Sequence, residues 1–147
     1  MATKRTGISR DLIIHPGETI ADVLEERGIT QAELAARTDV SSAYVSSVIA
    51  GKRNISSKFA MALEYALDVP KSFWLNLQAN YEAELLELNE TDTVTDEERA
   101  TLQPLRGIIS FLKKRDMIPN NQNREDTVLS LRKIFRMSDI SKLGTLV

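Results

Sequence analysis

The chain has 147 residues, 42% of them hydrophobic, with 19 Lys and Arg against 21 Asp and Glu and a formal charge of −2. That is enough for one domain or two small ones with a real core, and the lack of cysteine excludes disulfides and thiol chemistry. The first residues, MATKRTGISRD, are charged and lack the apolar stretch of a secretory signal. No window approaches the roughly 18 apolar residues of a membrane span, so a cytoplasmic protein is expected. A chain that is not basic argues mildly against a nucleic-acid partner, but the placement of charge matters more than its sum.

Residues 1–14 read as a flexible arm ending in the short extended piece Leu12-Ile13-Ile14. Pro16 and Gly17 then punctuate, and Ile20, Val23 and Leu24 at i, i+3 and i+4 predict an amphipathic helix over about 17–27. Gly28 suits its C-cap. Thr30 and Glu33 form a Thr-x-x-Glu capping box for a second helix over about 31–38, with Leu34 and Ala35 inward. A third helix runs from about Ser42 to Ala50, capped by Ser41 or Ser42 and striped by Val45, Val48 and Ile49. Gly51 ends it, and Lys52, Arg53 and Asn54 form a loop. Ser56 or Ser57 opens a fourth helix that buries Phe59, Ala60, Leu63 and Leu67. Pro70 starts a fifth, holding Phe73, Trp74, Leu77, Tyr81 and Leu85 and reaching about Leu88.

Beyond it the composition changes. Residues 89–98, NETDTVTDEE, read as an acidic linker or the first turn of another helix. One helix is then predicted over about 97–115, kinked or restarted at Pro104, and another over about 124–136. The expected fold is all-α: five helices over 15–88, then a smaller helical extension over 99–147 suited to dimerisation or to a connecting role.

The second and third helices, with the tight break at Asp39-Val40-Ser41, have the form of a helix-turn-helix. Ala35 is small enough for the close contact between the two axes, and Val40 plugs the angle. The outward positions of helix three are Ser42, Ala43, Tyr44, Ser46 and Ser47, with no acid among them, which suits entry into a DNA major groove. Thr30, Gln31 and Ser41 sit at helix N-termini, where short polar groups engage phosphates. Lys52 and Arg53 follow on flexible side chains with no fixed aim toward bases, so both are expected to act through phosphates. Between Gln31 and Lys58 the basic residues are Arg37, Lys52, Arg53 and Lys58, against Glu33 and Asp39. The local sign is therefore positive. Helix three itself holds no Lys, Arg, Asn or Gln, so base reading would depend on serines, Tyr44 and the flanking loop.

Residues 15–88 resemble the host-inhibition-of-growth (HigA-like) antitoxins within the Xre, or Cro/C1-type, repressor superfamily. The carrying residues are His15-Pro16-Gly17-Glu18, Ile29 through Ala35, Val40-Ser41, Val45-Ser46-x-Val48-Ile49-x-Gly51-Lys52-Arg53, and Phe73-Trp74-Leu75-Asn76-Leu77-Gln78-x-x-Tyr81. The resemblance implies a lambda-repressor-like five-helix domain, dimers on palindromic operators, and often autorepression of a toxin operon. It places phosphate contact near Gln31 and base reading on Ser42, Ala43, Tyr44 and Ser47. Asp39 stands where that family usually has Gly, a position Asp tolerates better than most residues. Residues 102–143 resemble the helical connector of larger proteins that carry an ImmA/IrrE-type domain, on the runs Phe111-Leu112-Lys113-Lys114-Arg115 and Phe135-x-Met137-Ser138. The zinc-protease pattern His-Glu-x-x-His is absent from the sequence.

Other candidates for chemistry have plainer readings. His15, the one histidine, is expected to cap a helix or pack against helix five. Asp92, Asp96, Glu97 and Glu98 lack the ligand ladder and central Gly of a calcium loop and fit a helix start, where acids complement the dipole. Phe73, Trp74 and Tyr81 read as core, and Lys113-Lys114-Arg115 as a solvated helix end. No catalytic group, cofactor or metal is expected. The expected partners are duplex operator DNA, a second copy of the chain and a cognate toxin. The alternative is a protein-interaction module that keeps the fold without strong operator binding.

Overall fold

The computed structural model describes residues 12–143, all helix, turn and loop, with no strand among them. Most of the arm expected over 1–14, and the last four residues, lie outside the described part. The chain divides into two compact units, the first ending at Leu85 and the second beginning at Leu86.

The first unit holds α1 (Pro16–Arg27), α2 (Gln31–Thr38), α3 (Ser42–Ile49), α4 (Ser57–Leu67) and most of α5 (Lys71–Leu88). Local chemistry sets the boundaries. Pro16 occupies the first turn of α1, where a missing N–H costs nothing. Gly28 closes that helix at φ 68°, a left-handed cap, donating to the carbonyls of Leu24 and Glu25. Ser56 caps α4 by accepting from the Phe59 N–H at 3.1 Å. Arg27 reaches the Leu67 carbonyl and ties the end of α1 to the end of α4.

The core gathers one stripe from each helix: Ile20, Leu34, Val45, Val48, Leu63 and Trp74 are all fully buried. Helix α5 departs from expectation. Trp74 and Gln78 are its buried residues, while Phe73 is 42% exposed and Leu77, Tyr81 and Leu85 are half-buried. Successive helical residues point about 100° apart, so a face centred on Trp74 and Gln78 leaves Phe73 at its margin.

The second unit contains a 3-10 helix (Glu90–Thr93), α6 (Asp96–Ala100), α7 (Arg106–Lys114) and α8 (Arg124–Phe135). Its own core includes Val94, Leu105, Leu112, Val128, Leu131 and Ile140. Of the two readings of 89–98, the helix start holds for Asp96, Glu97 and Glu98, which form the first turn of α6, and the stretch before it is folded too, as the 3-10 helix, rather than a linker. Val94 is 5% exposed and Glu98 is fully buried, because its charge is paired: Glu98 accepts from Arg132 Nη2 at 2.6 Å and Nε at 3.0 Å, and from the Ile140 N–H at 3.0 Å. Composition alone counts this acid as solvated. The helix expected over 97–115 is two, α6 and α7, parted by turns around Pro104, which has no N–H to continue a helix.

Candidate nucleic-acid interface

The Thr30 hydroxyl accepts from the Glu33 N–H at 3.0 Å, and Glu33 reaches back to the Thr30 N–H, completing the capping box that starts α2. The helix stops at Asp39, whose φ of 59° and ψ of 44° are left-handed; its N–H donates to the Ala35 carbonyl. Asp thus does here what Gly would do with less strain. Val40 packs partly buried on the core, and its N–H also reaches the Ala35 carbonyl, at 3.1 Å. One residue later the Ser41 hydroxyl accepts from the Tyr44 N–H at 3.0 Å and starts α3. Ala35 is 4% exposed, as a close helix contact requires.

With Val45 and Val48 fully buried, the phase of α3 is fixed. Ser42, Ala43 and Ser46 face outward, while Tyr44 and Ser47 are half-buried. Thr30, Gln31, Ser41, Lys52, Arg53 and Asn54 are exposed. The exposed positions thus lie at the starts of α2 and α3, on the outer face of α3 and in the loop after it. Thr30 and Ser41 each spend an acceptor position on a helix cap, which leaves the hydroxyl proton as the part available to a phosphate.

The loop after α3 is held from below at two points. Gly51 lies at φ 82°, and a Cβ built there would sit 3.7 Å from His15 Cγ, so the chain passes over the imidazole. His15 caps α1 through Nδ1, which accepts from the Gly17 N–H at 2.9 Å, and its ring meets the edge of Tyr81 at 4.7 Å. Helix capping and packing against α5, both expected of His15, occur together. A ring that accepts at Nδ1 is neutral with its proton on Nε2. Burial holds its pKa below the ordinary value, against the opposing pull of the Arg53 main chain and of Glu18. Among the described residues the Nε2 has no partner in hydrogen-bond geometry. Further along, the Ile55 N–H donates to the buried side chain of Gln78 at 2.8 Å, fastening the loop to α5.

Arg53 departs from expectation. Its guanidinium lies over the Tyr44 ring, 5.4 Å from the centroid, and that ring is braced edge-on by Phe59 at 5.2 Å. The side chain therefore has a definite orientation, given by a cation–π contact. Sequence reading could not supply the pairing, since nine positions and a loop separate the two residues. His15, Gln78 and Phe59 were likewise not read as supports of this surface. The Gln78 signal is a polar residue at a core position of α5, where a buried amide needs hydrogen-bond partners; they are the Ile55 N–H and the Glu82 carboxylate.

Comparison with known proteins agrees with this geometry. The helix-turn-helix (HTH_3) family pattern matches residues 20–74. Virulence-associated protein A' of Dichelobacter nodosus is 44% identical over 69 residues, covering 46% of this chain; the match spans 60% of that protein's length. Among solved structures, a putative antidote protein of a plasmid maintenance system from Nostoc punctiforme is 35% identical, with a TM-score of 0.52, and the match covers 54% of this chain and 87% of that one. The Pseudomonas aeruginosa antitoxin HigA, solved with the higBA promoter, is also 35% identical, with a TM-score of 0.51 and coverage of 54% and 89%. With identity at that level over nearly the whole of two such proteins, the chain belongs to the Xre-type helix-turn-helix family that these antitoxins share.

Proposed function

We propose that the chain is a sequence-specific DNA-binding regulator, an antitoxin-like autorepressor that binds the DNA upstream of its own gene. The observation that carries this is the exposed face of α3. Val45 and Val48 anchor the helix, and the outer positions Ser42, Ala43 and Ser46 bear neither bulk nor negative charge. Such a helix enters a major groove without steric or electrostatic penalty. Thr30, Gln31 and Ser41 at the helix starts, with Lys52 beside them, supply phosphate contacts that fix register.

Serine contacts to bases are weak singly, so the working unit is a homodimer whose two α3 helices occupy half-sites one duplex turn apart or a multiple of it. The second unit is the part that joins copies. Its likeness to the connector of proteins bearing ImmA/IrrE-type domains rests on the Phe111–Arg115 run and on Phe135, Met137 and Ser138. A cognate toxin is the proposed protein partner, by analogy with the HigA structure, and the proposed location is the cytoplasm; among the described residues no helix is long and apolar enough to cross a membrane.

The test is a gel shift of the full chain against its own upstream DNA with excess unrelated duplex. A discrete complex that survives the competitor is expected. Binding that the unrelated duplex abolishes equally well at every salt concentration would remove the regulator reading.

A further inference from the structure

We infer that Arg53 is a base-reading residue, specific for a guanine in the major groove, rather than one more phosphate contact. The inference rests on the DNA-binding reading above and adds to it the residue that supplies the discrimination α3 lacks.

Arg53 lies in the loop after α3, where sequence position alone would send it toward the backbone of the duplex. The cation–π contact carries it the other way. Tyr44 is the third residue of α3, so the guanidinium over its ring is drawn back along the helix to the N-terminal part. The N-terminal residues of a recognition helix are the ones that reach base edges.

Each link in that placement is itself held. Phe59, 3% exposed, braces the tyrosine ring. Gly51 over His15 fixes one end of the loop and the Ile55–Gln78 hydrogen bond fixes the other. Arg53 has no carboxylate partner among the described residues, so its five N–H donors are uncommitted. Lys52, next to it, has no such ring contact among the described residues and keeps the freedom of a phosphate binder.

The chemistry selects the base. Guanine presents N7 and O6 as adjacent acceptors in the major groove, and a guanidinium can donate to both at once. Adenine offers a donor where guanine has O6, and a lysine ammonium cannot reproduce the fork. An arginine already laid on a ring also loses less freedom on binding than a free one. The Tyr44–Arg53 pair thus acts as one reading head.

The experiment selects bound duplexes from a random-sequence pool with the full chain and with Arg53→Ala, Arg53→Lys, Tyr44→Phe and Tyr44→Leu. Wild type is expected to recover a site with a strongly preferred guanine at one position of each half-site. Arg53→Ala should lower that preference by roughly five- to 150-fold, the value of one bidentate contact, and keep the preferences elsewhere. Arg53→Lys, which keeps the charge, should lose it too. Tyr44→Phe should retain it, and Tyr44→Leu, which still packs on Phe59, should lose it at the same position. On the selected site, 7-deazaguanine at that position should weaken wild type and leave Arg53→Ala unchanged.

An Arg53→Ala site identical to wild type, bound uniformly more weakly with a salt slope lower by about one, would overturn the base-reading role and leave DNA binding intact. Failure of wild type to enrich any site would overturn both readings together.

Discussion

The contact that positions α3 can be tested at a residue that never touches DNA. A Cβ added to Gly17 would lie 2.1 Å from the Val48 carbonyl oxygen and 2.9 Å from both Cα and the carbonyl oxygen of Ile49. All three are main-chain atoms, so no side chain can rotate away, and α1 or α3 must give by roughly 1 Å to restore ordinary contact. Overpacking of this kind costs about 1–3 kcal/mol, and rigid neighbours place Gly17→Ala toward the upper end. Alanine regains at most about 1 kcal/mol through helix propensity and a less flexible unfolded chain. The net loss is then about 2 kcal/mol, or a fall in Tm of roughly 10 °C for a unit of this size. Thermal unfolding by circular dichroism measures it. Binding to the upstream DNA at a temperature where the variant is still folded should fall as well, because the contact that is pushed apart seats α3 on α1. A Gly17→Ala protein with wild-type Tm and wild-type affinity would refute the close approach of α1 to the α3 backbone.

Lys52→Ala should weaken binding to specific and random duplex about equally and lower the salt slope by roughly one unit; a changed base preference with an unchanged slope would contradict its phosphate role. Glu98→Ala leaves the Arg132 guanidinium largely buried without its carboxylate and should cost about 3–5 kcal/mol in the second unit, read by urea titration. Arg132 holds the Glu98 carboxyl below its ordinary 4.5. A depressed acid stabilises fully above the unfolded value and loses that contribution as pH falls below it toward the folded value. Wild type should therefore lose stability below about pH 4.5 more steeply than Glu98→Ala; parallel pH curves would deny the coupling. Sedimentation of the full chain at micromolar concentration should give twice 16.5 kDa with two copies per bound site, and a monomer bound singly would end the dimer reading.

The first unit was legible because its signals are local. Thr30 and Glu33, Gly28, Ser41, Ser56, Pro16 and Pro70 each act within four residues of where they stand, and the observed helix limits follow them. The stripe of Val45 and Val48 also fixed which side of α3 faces out. What the sequence hid depends on residues far apart in the chain. Glu98 and Arg132 are 34 positions apart, and without that partner an acid in a helix's first turn reads as solvent-facing. The Ile55–Gln78 bond spans 23 positions. Arg53 looked free because nothing in a loop sequence states which ring its side chain will find. Phe73 shows the converse error: an aromatic beside a buried Trp counts as core by composition, but helical phase turns it toward solvent.

The central claim is that the outer face of α3 meets DNA, and Ser46→Glu tests it most directly. Ser46 is exposed on that face, so the substitution leaves the core untouched while placing a carboxylate where phosphate and base edges would lie. Fluorescence anisotropy of labelled upstream duplex should show wild type binding with a strong salt dependence. The variant, with unchanged circular dichroism and Tm, should bind at least about 100-fold more weakly, a loss of the size expected when a like charge faces the groove and its base contacts are lost. Equal affinity of the two proteins would contradict the claim and move the interface elsewhere on the chain.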